Sequence, residues 1–231
     1  MGLSLVNLAY ETYLFPTTSP DDWRYLLAEP EKQWRSGYSA KELAECWERA
    51  DGFPPEVKAL FAHSANPALL ELELLLAIPE YKVELPGGSH ASQNNLFVLA
   101  RASDGHLVAI MVEGKVAEPF GDPLGKWLKD SSRGKQTLLK FLCDTLCLTK
   151  EPPAEIRYQL LHRTASAILT ARHFNAGYAL MIVHSFSQDH LWFEDYQAFL
   201  KLFGVTGKVN ELVELPGHAS PRVYAGWVVG K

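Results

Sequence analysis

The 231-residue chain has few cysteines, no long apolar run and no excess of positive charge. Cys46, Cys143 and Cys147 form no CxxC or Cys/His pattern, which argues against a disulfide framework and predicts no zinc site. No apolar stretch approaches the roughly 20 residues that a membrane span requires. The first residues lack the basic and apolar regions of a secretion signal, so we expect a cytoplasmic protein without membrane contact.

Motifs for a nucleotide cofactor and for acyl transfer are also missing. GDPLGKW contains a GK pair, but it is one residue short of the phosphate-loop spacing and lacks the following Ser or Thr. No GxSxG elbow accompanies His162 or His184. The formal net charge of -5 argues against a protein that coats nucleic acid through its overall field, although a local basic cleft is compatible with that charge.

What the chain does contain is a globular composition, with 47% hydrophobic and 21% charged residues. A capping box from Ser39 to Glu42 predicts a helix over about 40–50, and Pro54 and Pro55 open a second helix toward His63. We expect residues 1–65 to form a helical region packed on a core of residues 66–231, the whole being one compact unit.

The core region shows an alternation of helix and strand patterns. Asn66 and Pro67 predict a helix to about Ala77, followed by a strand near 81–85. NLFVLARASDGHLVAIMVEGKV predicts a β-hairpin with strands at about 95–101 and 106–116 around an Asp104-Gly105 turn. The later segments predict helices near 124–130 and 135–147, helices in YQLLHRTASAIL and WFEDYQAFLKLFG, and strands in YALMIVHSF and RVYAGWVV. The predicted class is α/β with a mixed sheet.

Two charges interrupt the apolar strand VAIMVEGKV. Residues two apart in a strand share a face and lie about 6.6 Å apart along it, so Glu113 and Lys115 project together while Gly114 faces the other way. The hairpin turn brings the polar start of the first strand, at Asn94 and Asn95, close to Glu113. A bare ExK is usually a surface ion pair. Its polar neighbours favour a shared cleft instead.

The VEGKV triplet and the order of the elements resemble the PD-(D/E)XK nuclease superfamily, whose restriction-endonuclease-like core runs α-β-β-β-α-β. The resemblance covers about residues 66–186. The chain also looks like an uncharacterised bacterial branch near those nucleases, which carries VEGKV, EPFG and YQLLHRTASA. The resemblance implies phosphodiester hydrolysis, in DNA ahead of RNA, with Mg²⁺ or Mn²⁺ as cofactor.

Carried over to this chain, the resemblance implies that Glu113 and the Gly114 carbonyl bind the metal and that Lys115 is the catalytic cation. Asn94 or Asn95 stands where the superfamily has its first aspartate. An amide oxygen can coordinate Mg²⁺ but brings no negative charge. The residues that could supply the missing acid are Glu118, Glu71 and Glu73 on the preceding helix, and Glu80.

The helix after the hairpin offers the candidate substrate contacts. Gln159 and Arg163 are four residues apart and therefore share a helix face, and the resemblance implies that they face the metal site and the substrate phosphate. His162 forms an adjacent four-apart pair with Tyr158 and is the third candidate contact.

Three functions remain open at this point. The first is a metal-dependent nuclease. The second is a catalytically impaired protein that keeps the fold and binds nucleic acid or a protein partner. The third is an accessory or toxin-neutralising protein, for which the acidic balance is mild support. The sequence leaves homo-oligomerisation undecided.

Overall fold

A six-stranded mixed sheet forms the centre of the structure, a computed structural model that describes residues 15–88, 90–130 and 132–231. The strands are β1 Glu73–Val83, β2 Ser92–Arg101, β3 Leu107–Lys115, β4 Tyr178–Ser185, β5 Glu211–Leu215 and β6 Arg222–Val229. The helices are α1 Pro30–Gln33, α2 Ser39–Glu48, α3 Pro55–Ala62, α4 Leu124–Trp127, α5 Arg133–Thr145, α6 Tyr158–His173 and α7 Phe193–Lys201, with 3₁₀ turns at Pro20–Leu26 and Pro67–Leu69. The predicted α/β mixed-sheet class is confirmed.

The strand order is β1-β2-β3-β4-β6-β5. The first three strands form an antiparallel meander, β3, β4 and β6 run parallel, and β5 returns antiparallel to β6. Every residue of β4 is buried, as its uninterrupted apolar sequence predicts for a strand covered on both faces. The carboxyl ends of three parallel strands therefore meet at one edge, where Lys115 pairs with Ser185 and Ser185 with Val229.

Helices cover the two sheet faces differently. On one face α6 packs over the centre of the sheet, and Leu161 and Ile168 join Phe97 and Met111 in a fully apolar layer. On the other face lie α2 and α3, whose Trp47 and Leu60 pack against Ile110 and Ile182. The helical N-terminal region thus covers one sheet face, and residues 1–14 of the predicted region lie outside the described residues.

The prediction of a helix from Asn66 to Ala77 is wrong. A single 3₁₀ turn, Pro67–Leu69, follows Asn66, and the chain is already in strand β1 at Glu73. The apolar run ELLLAI sends Leu74 and Ala77 into one core layer and Leu75, Leu76 and Ile78 into the other, with a register shift between Leu74 and Leu76. A short run buried on both sides has no period that separates helix from strand. Pro79 is tolerated because β1 lies at the edge of the sheet.

A different helix therefore opens the α-β-β-β-α-β order. The helix ahead of β1 is α3, so the order reads α3-β1-β2-β3-α6-β4, with α4 and α5 inserted before α6. Sequence patterns also missed the short edge strand β5. The hairpin around Asp104-Gly105, α6, α7, β4 and β6 lie where they were predicted. Within the described part of the chain, no helix is long and apolar enough to cross a bilayer.

One loop packs unusually closely on a helix. Gly87, at φ +79°, precedes β2 and approaches the start of α5 so closely that a Cβ built on it would lie 2.6 Å from the Gly134 carbonyl oxygen. A Cβ built on Gly134 would likewise lie 2.8 Å from the Gly87 carbonyl oxygen. The two glycines therefore permit backbone contact between this loop and α5.

Replacing Gly87 by alanine tests this contact. Gly87→Ala combines the cost of a left-handed residue, about 1 kcal/mol, with that of forcing a methyl group against backbone, about 1–3 kcal/mol. We expect a lower midpoint in urea denaturation. Gly52→Ala is the matched control, because Gly52 has φ +88° and nothing within 4 Å of its added Cβ. Equal destabilisation of the two variants would show that the close approach does not matter.

Candidate functional site

Glu113 and Lys115 lie at the carboxyl end of β3. Both side chains are on the face that α6 covers, and the Lys115 Nζ donates to Glu113 Oε1 at 2.7 Å. Both are almost completely buried, with 2% and 3% of their surface exposed. Gly114 faces the opposite layer, where a Cβ would lie 3.2 Å from Ser39 Cβ at the start of α2. The charged pair is thus part of the interior and differs from an exposed surface ion pair.

Two residues of α6 complete the surroundings of Glu113. Gln159 Nε2 donates to Oε1 at 2.7 Å, and Arg163 Nε donates to Oε2 at 2.6 Å. The four-residue spacing on α6 brings both to one carboxylate, as predicted. Burial acts to raise the pKa of Glu113, but the charges of Arg163 and Lys115 outweigh burial, so the pKa lies below its ordinary value. Glu113 is therefore ionised at neutral pH.

A second carboxylate, Glu80 of β1, enters the same cleft. Gln93 Nε2 donates to Glu80 Oε2 at 2.6 Å, and Asn95 Nδ2 donates to Oε1 at 3.4 Å. Burial raises the pKa of Glu80 to about 7, although both amides and the charge of Arg163 oppose that rise. Among the described residues, no cation lies within ion-pair distance of Glu80. Its backbone has φ +52°, a conformation that costs a non-glycine residue about 1–3 kcal/mol.

Asn95, and not Asn94, is the asparagine at the site. Asn95 Oδ1 accepts a hydrogen bond from the Gly114 N–H at 3.1 Å, while its Nδ2 reaches Glu80. Asn94 is fully buried and donates to the carbonyl oxygens of Tyr81 and Ser92. Asn95 thus links the VEGKV strand to the second carboxylate.

The other acids named from the sequence have different positions. Glu118 lines the cleft, but its carboxylate accepts backbone N–H groups of Ser39, Val116 and Ala117, which makes it a loop and helix cap. Glu73 pairs with Arg101 at the opposite end of β1, and the exposed Glu71 precedes it there. Assigning Glu71 and Glu73 to the metal site was wrong, because it depended on a helix that the chain does not form.

His162 stands beside the site and does not contact Glu113. Its Nδ1 lies 2.8 Å from Ser92 Oγ and 3.4 Å from Arg163 Nη1. Arg163 Nη1 also donates to Ser92 Oγ at 3.1 Å. Burial and the charges of Arg163 and Lys115 hold the pKa of His162 well below its ordinary value, so the ring is neutral. Sequence reasoning missed Ser92 and Gln93, although both belong to the polar run SQNN at the start of β2.

A cleft of about 480 Å³ lies at the carboxyl edge of the sheet, and its lining includes Glu80, Asn95, Glu113, Lys115, Gln159 and Arg163. Its floor holds Glu113, Lys115 and Glu80, and its outer wall is formed by α1 and the start of α2, with Lys32 and Tyr38. Gln159 Oε1 is a buried acceptor that no donor among the described residues reaches. The cleft therefore combines two carboxylates with an unused amide oxygen, which are the hard donors that Mg²⁺ and Mn²⁺ prefer.

A second cluster of ligand-type side chains lies on the other sheet face. Cys46, Glu56 and His184 place one ligand atom each within 4.8 Å of one another, the one such group among the described residues. Trp47 Nε1 donates to His184 Nδ1 at 3.2 Å, so the ring hydrogen is on Nε2, which lies 3.1 Å from Glu56 Oε1. With that tautomer Nε2 has no lone pair for a metal. The cluster fastens α2 and α3 to β4 through hydrogen bonds.

Glu80→Gln tests the buried, weakly compensated carboxylate. Because the folded pKa of about 7 exceeds the ordinary value of 4.5, ionisation of Glu80 destabilises the fold progressively as pH rises from 4.5 to 7, and fully above that. In the presence of a chelator, we expect the free energy of unfolding of Glu80→Gln to exceed that of wild type by about 1–3 kcal/mol near pH 8. Near pH 4 we expect the two free energies to be equal. Glu71→Gln controls for the loss of one exposed carboxyl. Urea denaturation at both pH values measures this. A stability difference between variant and wild type that is the same at pH 4 and pH 8 would refute the raised pKa of Glu80.

Comparison with known proteins places the whole site inside one family. A family model described as Domain of unknown function (DUF6946) matches residues 16–231, which include every residue of the cleft. No curated protein and no solved structure matches the chain. Because the match covers nearly all of the sequence, the chain belongs to the DUF6946 family.

Proposed function

We propose that this protein is a divalent-cation-dependent nuclease that hydrolyses phosphodiester bonds, in DNA ahead of RNA. The observation that carries the proposal is the convergence of Glu113, Lys115, Gln159 and Arg163 with a second carboxylate, Glu80, in one cleft. The resemblance of VEGKV and of the element order to PD-(D/E)XK nucleases supports the same reaction.

The donor set fits Mg²⁺ or Mn²⁺. Glu113 and Glu80 would hold the ion, with the amide oxygen of Gln159 as a further donor. Glu80 is held by neutral amides, and Gln159 Oε1 has no donor among the described residues. Both groups therefore retain the capacity to bind a cation. When bound, the ion supplies Lewis acidity for attack of water on the phosphodiester.

The remaining residues of the cleft position the carboxylates and neutralise negative charge. Lys115 Nζ lies 2.7 Å from Glu113 Oε1, and the residue lines the cleft, where its ammonium group would stabilise negative charge that develops on the phosphate. Arg163 neutralises Glu113 and offers planar donors to phosphate oxygens. Asn95 takes the place of the superfamily's first aspartate and positions Glu80 and the Gly114 amide.

A second function, binding without catalysis, is favoured by one specific observation. Three donors already occupy the two oxygens of Glu113, so a metal must displace at least one of them to gain access. Asn95 also brings one negative charge fewer than an aspartate. In a nucleic-acid-binding protein that has lost the reaction, the same cluster would serve binding alone.

We propose a cytoplasmic location. Cys46, Cys143 and Cys147 are all unpaired, as thiols are in a reducing compartment.

Plasmid nicking separates the two functions. We expect wild-type protein to nick supercoiled plasmid in Mn²⁺ or Mg²⁺ and not in chelator. Lys115→Met keeps the aliphatic stem but removes the charge, and should reduce nicking by about 10²-fold or more. The control is Lys126→Met, because Lys126 is an exposed residue paired with Asp122 outside the cleft.

Two outcomes would argue against the nuclease. Equal nicking by wild type and Lys115→Met would identify a contaminant. Metal-independent plasmid binding without any cutting, measured by gel shift, would favour the binding function instead.

Asn95→Asp tests whether Glu80 and Glu113 share an ion. The change replaces the amide donor that faces Glu80 by a carboxylate oxygen, so the metal-free protein should lose about 1–3 kcal/mol of stability through like-charge repulsion. Mn²⁺ should then raise the melting temperature of Asn95→Asp more than that of wild type, and nicking should increase. A Mn²⁺ shift of the same size in both proteins would exclude an ion between these carboxylates. Na⁺ at matched ionic strength is the control.

A further inference from the structure

A second pocket, which we call the Lys135 pocket, adjoins the cleft and differs from it in charge: the cleft is lined by both acidic and basic side chains, the pocket by basic ones. It has a volume of about 420 Å³ and lies between the glycine loop before β2, the start of α5 and the first turns of α6. Lys135, Arg163, His162, Tyr158 and Trp127 are among the residues that line it. None of the described residues that line it is acidic, in a chain with 27 acidic and 22 basic residues.

Arg163 joins the pocket to the cleft. The residue lines both cavities and is 8% exposed. Its Nε donates to Glu113 and its Nη1 to Ser92, whereas its Nη2 has no hydrogen-bond partner among the described residues. One guanidinium thus holds the carboxylate of the cleft and keeps donors for a ligand in the pocket.

Lys135 supplies a second cation without a carboxylate partner. Its Nζ donates to the Trp127 carbonyl oxygen at 2.6 Å and lies 5.4 Å from the centre of the Trp127 ring. No described acid lies within ion-pair distance of Lys135, whereas Lys140 on the same helix pairs with Asp144. Among the described residues, the charge of Lys135 is therefore not neutralised by a carboxylate, whereas that of Arg163 is paired with Glu113.

The ring of His162 adds a neutral donor. Arg163 Nη1 can only donate and lies 3.4 Å from His162 Nδ1, so that ring nitrogen is the acceptor and the ring hydrogen is on Nε2. Tyr158 stacks on Trp127, with the ring centres 4.1 Å apart, and also contacts the His162 ring. The donors of the pocket are thus held on a rigid aromatic stack.

We propose that the Lys135 pocket binds a phosphate group of the nucleic-acid strand, next to the phosphodiester that the cleft holds for hydrolysis. The proposal rests on the proposed function for the identity of the ligand. Phosphate matches the pocket because cations and neutral donors line it, because none of its described lining residues is acidic, and because Arg163 lines both cavities. The adjoining cleft contains Glu80, Glu113 and Glu118 beside Lys32, Lys115 and Arg163, and its carboxylates are the candidate cation ligands. The cleft would therefore bind the phosphodiester with its metal ion, and the Lys135 pocket would bind a neighbouring phosphate of the same strand.

Binding of fluorescein-labelled oligo(dT), followed by anisotropy in chelator, tests the pocket without any dependence on hydrolysis. Lys135→Met keeps an unbranched apolar side chain but removes the charge, and we expect it to weaken binding about fivefold at low salt. The slope of log Kd against log salt concentration should fall by about 0.7, the value for one phosphate contact on a single strand. Lys140→Met, on the same helix, should bind as wild type does.

The outcomes separate this proposal from the nuclease. Identical affinity and salt slope for Lys135→Met and Lys140→Met would overturn the phosphate pocket, as would failure of wild type to bind oligo(dT) at low salt. Thermal melts of both variants establish that each is folded. Plasmid nicking by wild type and Lys115→Met judges the nuclease independently. If binding depends on Lys135 but no nicking occurs, the pocket stands and the nuclease does not.

Discussion

The buried carboxylate of Glu113 is the constraint on which the site depends. Removing a carboxylate from water costs several kcal/mol unless charges and hydrogen bonds compensate, and here Lys115, Gln159 and Arg163 provide that compensation. Loss of one partner of such a buried pair costs about 3–5 kcal/mol, whereas well-packed apolar replacements are often neutral or stabilising. Stability alone does not account for the cluster, which supports a functional reason for retaining it.

The sheet explains why these groups meet. β3 lies between an antiparallel and a parallel neighbour, so the polar start of β2 and the carboxyl end of β3 are side by side. Helix α6 then crosses the same face and delivers two polar side chains from its first turns. The same arrangement puts Glu80 of the edge strand beside Asn95. Two cavities consequently adjoin: the cleft, with acidic and basic side chains together, and the Lys135 pocket, with no acid among its described lining residues. Arg163 lines both.

Local patterns predicted much of this site. The period of two in a strand placed Glu113 and Lys115 on one face, and the four-residue spacing of Gln159 and Arg163 placed them on one helix face. Both relations depend on backbone geometry within one element. The role of Glu80 depends on the register of β1, which was misread as helix before Ala77 because its apolar residues are buried on both sides. The Lys135 pocket depends on contacts between distant loops, which no local period encodes.

The sequence distances within the Glu113 cluster have a consequence for motion. Gln159 and Arg163 are 46 and 50 residues from Glu113, so the carboxylate keeps these donors only while α6 is docked on the sheet. Local opening of α6 would expose an anion that has lost two of its three donors as well as an apolar layer. The loss of donors and the exposure of apolar surface both raise the free energy of opening α6. Local unfolding at this edge is therefore coupled to global unfolding.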